Sequence, residues 1–455
     1  MNTFLLAVAT LTLNSISQNP TTRTVTVDYT LTGENAVVTL GSVVTNGAPM
    51  AVSDLSVVTG DANRLLAPGA HSLKWQPPVD SGFGPFDMAS TEIALKAWAT
   101  NAPPDYMVIN LSQPACGVRY YACAEAIPGG VTDRRYKTDY LVMRRIPAAG
   151  VTWRMGSPMG ETGRAGSLAE ATHYVKLTED FYLAVYETTC RQYYWLYGSA
   201  ATTSPNSIDM RPYGAYDWDI PVSVLSYANV RGNQHGDTCT LTGDALKEPF
   251  RIWPQSGHEI SPNGTKCPVC GKTSNCILAK VRERWPDFLF DLPTEAQWEF
   301  ACRGGAQNYE VRPGNPSNLD EIAWYVANAS NQTAQVVTAV PHPVGLKKPN
   351  NYGLYDMLGN LAEWTLDGYG AFPNSDGIVE NPKGAELPWK RTDTVSKRVL
   401  RGGCFMTTAG YVRSAGRVAL NLFYTSCNVY SPSSASAVSQ NACGLRLWLP
   451  CHAVK

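Results

Sequence analysis

Residues 292–305 read LPTEAQWEFACRGG. Thr294 stands where an N-cap belongs, and Gln297 follows three residues later, as a capping box requires. Gly304-Gly305 then supplies a stop, so the spacing predicts a helix over Thr294–Arg303. Around it the chain consists of short motifs at irregular intervals. Upstream, Met155-Gly156-Ser157 leads to Glu161 and Arg164, and Tyr174–Leu177 and Phe181–Leu183 alternate as strands. Glu187-Thr188-Thr189 opens a further helix, with Thr188 or Thr189 as its cap. Downstream lie NYGLYDMLGNLAEW (351–364), RVLRGG (398–403) and GLR (444–446).

Taken together, in this order, these strings resemble the formylglycine-generating-enzyme family, also called the sulfatase-modifying-factor domain. The resemblance covers about Trp153 to Leu449. It implies an α+β fold of the C-type lectin-like type for residues 151–455, with an insert at about 231–285.

Residues 1–105 have a different texture. Val25, Val27, Tyr29 and Leu31 alternate with polar residues, and Val37–Leu40 and Leu55–Val58 are further short strands. Ile93–Trp98 reads as strand or helix. Turn signals at Gly33, Gly60-Asp61 and Pro77-Pro78 separate these runs, as in an immunoglobulin/fibronectin-like β-sandwich. Residues 106–150 are expected to connect the two parts; within them Cys116 and Cys123 either bridge or stay reduced. The apolar-leaning run Phe4–Leu13 is too short to span a bilayer and has no basic residue before it. It reads as a first strand or as a cleaved signal.

A chain of 455 residues exceeds one ordinary core. Its formal net charge of −1 gives no electrostatic case for nucleic acid or an anionic membrane. The 12 cysteines are too dilute and scattered for a disulfide scaffold.

The founding activity implied by the resemblance oxidises a client cysteine with copper held by two cysteines, four and nine positions after the Gly-Gly. Soft thiolates suit Cu(I). Here those positions are Thr407 and Val412. Cys404 follows the Gly-Gly directly, where packing is expected. A second branch of the family carries an iron-binding helical bundle, but the six histidines show no helix-turn spacing.

The third branch consists of retroelement-diversified variable proteins, which keep a frame and vary a C-terminal patch. From Cys404 to Cys443 there are 40 residues and two charges, Arg413 and Arg417. An average composition would place roughly ten there. Adenine-directed mutagenesis of AAC codons cannot produce Met, Trp, Lys, Glu or Gln, and only Met406 and Gln440 in this stretch fall among those types. The resemblance therefore implies a non-catalytic, paratope-like surface using Met406, Thr407, Thr408, Gly410, Tyr411, Gly416, Asn421, Phe423, Tyr424, Asn428 and Tyr430. Aromatic rings would anchor the ligand and small polar groups adapt to it. The ligand expected is a protein or glycan on another cell or a phage, which favours a cell-surface or secreted setting. The alternative is an enzyme of the same family with an altered active site, and a plain Ser/Ala-rich loop is the bland reading of the stretch.

Two metal sites are weighed. Asn360 and Glu363 lie in a segment that holds calcium in several family members, with Asp356 and Asn328 as weaker additions. Alternatively Asn360 caps a turn and Glu363 pairs with a core arginine. In the insert, Cys267 and Cys270 form half of a zinc knuckle that Cys276 with Cys239 or a histidine would complete; a disulfide or free thiols are the competing readings.

Overall fold

A computed structural model describes residues 9–78, 88–113, 117–164, 170–197, 218–223, 225–231, 277–286, 288, 290–305, 318–331, 338–372, 377–382, 384, 397–421, 427–428, 439–440 and 442–451. The chain divides into two compact units. The first comprises residues 1–136, 140–145 and 451–455, the second 137–139 and 146–450.

In the first unit the period-two pattern becomes two antiparallel sheets. One runs Thr10–Gln18, Val25–Thr32, Gly69–Trp75, Val58–Gly60; the other has Ala36–Thr45 between Ala48–Pro49 and Arg64–Leu66. Thr91–Ala99 also pairs with Ala36–Thr45, which resolves the ambiguous Ile93–Trp98 as strand. Val25, Val27, Tyr29 and Leu31 all point inward and are buried with Val38, Leu40 and Val43 of the other sheet. The expected strand at Leu55–Val58 is instead a 3₁₀ turn, Val52–Leu55, with a strand starting only at Val58. Trp75 Nε1 donates to the Asp54 carbonyl at 2.9 Å, and Leu55 is buried, so the turn is held by packing rather than by a ladder.

The stretch expected to connect the two parts carries structure of its own. Tyr106–Asn110 lies between Val118–Tyr121 and Tyr140–Ile146, antiparallel to both. Cys123 is a free thiol; Cys116 lies outside the described residues.

The second unit is built on a four-stranded sheet ordered Arg417–Asn421, Lys397–Arg401, Ala362–Gly368, Cys443–Gly444. Helix Glu295–Cys302 packs over it, its Thr294–Gln297 capping box formed on both sides. The other expected helix runs Cys190–Tyr197: Gln192 N–H donates to Thr189 Oγ1, and Gln192 Oε1 accepts from Thr189 N–H, so Thr189 is the cap. A smaller sheet joins Thr152–Met155, His173–Lys176 and Ile378–Glu380, while Phe181–Ala184 pairs with Trp448–Pro450. The two described ends of the insert meet on one carboxylate: Arg231 and Arg282 both donate to the buried Asp291. No helix among the described residues is long and apolar enough to cross a membrane.

Candidate functional site

The strand register sets Glu363 opposite Arg401, Arg401 opposite Arg417, and Glu363 beside Gly444. One row of the sheet thus carries charge, and helix Glu295–Cys302 covers it. Residues four apart share a helix face, so Glu295 and Glu299 both look down on the row. Glu295 pairs with Arg417, Glu299 with Arg401 and Arg303. Trp298, between them, donates its indole N–H to Glu363 at 2.7 Å. Attraction from Arg303 and Arg401 outweighs the penalty of burial and holds the Glu299 carboxyl below the usual range.

At the end of this row the chain turns at Gly402-Gly403, with φ of 89° and 75°. A side chain at Gly402 would press on the Met357 carbonyl and the Trp298 ring. A Cβ at Gly403 would sit 3.4 Å from side-chain atoms of both Thr407 and Val412. The turn therefore brings those two positions to the same spot. Thr407 accepts the Cys404 N–H at 2.9 Å and lies 3.4 Å from its sulfur, while Val412 belongs to the core. A hydroxyl and two methyl groups are not ligands for Cu(I), so the residues present do not fit the copper of the family. Cys404 is buried, as expected of a packed residue.

Beyond the turn, Met406, Thr408, Gly410 and Gly416 are partly accessible and Tyr411 is 36% exposed. Thr407 departs from the expectation: it is buried under the turn and so does not reach the surface. Asn421 closes the strand Arg417–Asn421 opposite Lys397, and Asn428 pairs with Ser439 in a two-residue ladder. Phe423, Tyr424 and Tyr430 lie outside the described residues.

Arg413 and Arg417 are frame rather than face, and they go to different partners. Arg417 chelates Glu295 and stacks on Phe372, 4.1 Å from guanidinium carbon to ring centre. Arg413, 1% exposed, reaches back some 250 residues in sequence to a loop at 156–164. It grips Glu170 at 2.9 Å, pairs with Glu161, and donates to the carbonyls of Gly163 (2.8 Å) and Gly410 (3.1 Å). This places the exposed Met159 and Thr162 on the loop beside Gly410, a neighbourhood that local reading of the sequence did not reveal. The Met-Gly-Ser…Glu…Gly-Arg string was visible, but not what it packs against.

The Asn360–Glu363 segment is also frame. Glu363 accepts from Arg446 Nε and Nη2 and from Trp298 Nε1; Asn360 Oδ1 accepts the His342 N–H, and its amide donates to Glu187 at 2.7 Å. The side-chain oxygens of Asn360 and Glu363 thus accept hydrogen bonds within the domain, whereas Asp356 accepts the Gly345 N–H on Oδ2 at 2.7 Å and its buried Oδ1 has no hydrogen-bond partner among the described residues. Glu187 and Asp356 stand in the same buried cluster. Burial and neighbouring carboxylates push Glu187 well above the usual range, and burial raises Asp356 to about 6. Asn328 is engaged with Tyr325, Asp320 and Ala323. The cysteines Cys239, Cys267, Cys270 and Cys276 lie outside the described residues.

Comparison with known proteins adds the lineage. The formylglycine-generating enzyme of Streptomyces coelicolor is 28% identical over 183 residues, 38% of this chain and 55% of that protein. Chaperone protein LppX of Paenibacillus barcinonensis is 37% identical over 194 residues, 41% of this chain and 61% of that protein. The chain thus spans little more than half the length of these relatives. Among solved structures, Treponema denticola variable protein 1 aligns with a TM-score of 0.42 at 21% identity, covering 68% of this chain and 95% of that one. Residues 130–429 match the family described as Sulfatase-modifying factor enzyme 1-like domain. That match takes in the capped helix, the charged row and the Gly-Gly turn, and by it the chain belongs to the sulfatase-modifying-factor family.

Proposed function

We propose that this protein binds a ligand without transforming it, through a C-terminal patch at about 404–443 that a retroelement diversifies. The observation that carries the reading is the meeting of Thr407 and Val412 under Gly403. Neither position of the family's reactive pair carries a thiol, Cys404 beside Thr407 being a single packed one, while the backbone turn that brings the two positions together is present. A second feature supports it. The frame residues Arg401, Arg413, Arg417 and Arg446 are all buried and bonded, whereas Met406, Thr408, Gly410, Tyr411 and Gly416 between them reach solvent. A rigid scaffold bearing a surface of small polar groups and tyrosine is how paratopes are built. Residues 1–105, with the two sheets that face each other across Val25–Leu31 and Val38–Val43, are read as an immunoglobulin/fibronectin-like spacer or docking module.

The experiment has a genetic and a protein arm. The coding sequence of residues 404–443 is compared with its flanks for a near-copy holding AAC codons at the differing positions and a reverse-transcriptase gene. Finding neither would remove diversification from the proposal. In the protein, Tyr411→Ala and Tyr424→Ala are expected to weaken ligand binding while changing stability by no more than about 0.5 kcal/mol. If both unfold the domain, the rings are core and the patch is not a paratope.

A further inference from the structure

Lys137, in the second unit, lies outside both the charged row and the 404–443 patch. The residue is 8% exposed. Its backbone is fixed, the carbonyl accepting the Thr189 hydroxyl at 2.7 Å. The side chain runs to Tyr186, with Nζ 5.4 Å from the ring centre, and Tyr186 stacks on Tyr355 at 5.0 Å. Gly345, with φ of 72°, stands beside both side chains. A Cβ there would lie 3.2 Å from Lys137 Cε and Nζ and 2.5 Å from Tyr186 Cε1, so the amine fills space that a glycine leaves open. The N–H of the same glycine donates to Asp356 Oδ2 at 2.7 Å, which brings a second buried ionisable group to this place.

Among the described residues Lys137 Nζ has no hydrogen-bond acceptor and no ion pair, and it keeps contact with solvent. Lys347 is arranged differently: its Nζ donates to the Asp320 carbonyl and sits 3.9 Å from the Trp324 ring centre. An ammonium that gives up water without gaining a hydrogen bond is disfavoured against the neutral amine. Burial accordingly pulls the Lys137 amine below the usual lysine range, against the opposing pull of the Asp219 and Asp356 carboxylates. A partly desolvated amine of this kind is nucleophilic toward carbonyl carbon. The crowding around Gly345 favours a small carbonyl compound over a bulky one.

We propose that Lys137 is a covalent capture site for small aldehydes. Nζ attacks the carbonyl carbon and the π pair of the C=O bond moves to oxygen. The resulting carbinolamine expels that oxygen as water, together with the two amine protons, and leaves an imine. No oxidant or reductant enters the step. None of the residues assigned to the ligand patch takes part, so the inference stands apart from the binding reading. The test exposes the full-length chain to propanal and cyanoborohydride, which traps the imine as a stable secondary amine, and follows each lysine by peptide mass mapping. It is run on the native chain and in about 6 M guanidinium chloride. In the native chain Lys137 should be modified about tenfold faster than Lys347 and than Lys348, whose side chain is 69% exposed. In the denaturant the three should react within about twofold of one another, since unfolded lysines share one solvent environment. Native modification of Lys137 no faster than that of Lys348 would overturn the proposal, because the amine is then charged or shielded. A preference for Lys137 that survives denaturation would overturn it as well, because the fold is then not its source.

Discussion

Arg446 shows how completely single residues of this domain are committed. Its guanidinium donates from Nε and Nη2 to Glu363, from Nη1 to the carbonyls of Ala184 and Val185, and from Nη2 to that of Tyr355. All its N–H groups are directed at acceptors, and the residue has no exposed surface. A buried charge of this kind is stabilising only while its partner stays. Glu363→Gln should therefore cost about 3–5 kcal/mol, read from the urea midpoint at constant slope. A loss below about 1 kcal/mol would mean that the carbonyls alone satisfy Arg446. At this scale the sequence was informative wherever a position could be counted from a fixed landmark. Thr407 and Val412 were found by counting from Gly402-Gly403, and the turn does bring them together. Burial was harder to read, because nothing in the identity of Thr407 says that its hydroxyl turns inward to the Cys404 amide.

Elements were readable where their signals are local. The Thr294–Gln297 box and the inward stripe from Val25 to Leu31 need only neighbouring residues, and both formed as expected. The charged row was out of reach. It depends on register between strands far apart in sequence, and on which helix face meets them. Among its consequences is Asp367, in strand Ala362–Gly368, which accepts the Glu295 N–H at 2.6 Å. Burial, and then the charge of Glu295, push its carboxyl up to about 7. A carboxyl whose pKa is higher folded than unfolded contributes stability that is complete below the unfolded value, near 4, and is lost as pH rises through the folded value. The domain should thus lose stability between about pH 4 and pH 7, at up to about 1.4 kcal/mol per pH unit from this group. Asp367→Asn should flatten that portion of the profile when unfolding is followed across the range. An equally steep profile in the variant would assign the slope elsewhere, Glu187 and Asp356 being the other buried carboxyls with raised values.

For the molecule as a whole, the sequence marked two parts by texture, and contacts divide the chain at other residues. Texture changes at Trp153, so residue 151 looked like a beginning. Contacts put Lys137–Asp139 and Ile146–Pro450 into the second unit. Ile146 and Ala148 are completely buried in its core, beside Trp153 and Leu183. Lys137 supplies the carbonyl that accepts the Thr189 hydroxyl at 2.7 Å, and Asp139 accepts the Trp195 indole N–H at 2.9 Å. Local reading could not show this, since only their partners mark residues 137–148 as part of the second unit. A chain shortened to begin at residue 151 loses an isoleucine from the core, about 1.5–3 kcal/mol. It also leaves the buried Thr189 hydroxyl without its acceptor, about 1–3 kcal/mol more. Compared with a chain beginning at residue 134, it should unfold at a clearly lower urea concentration. Equal midpoints would place the start of the second unit at the change of texture after all, with residues 137–148 as mere covering.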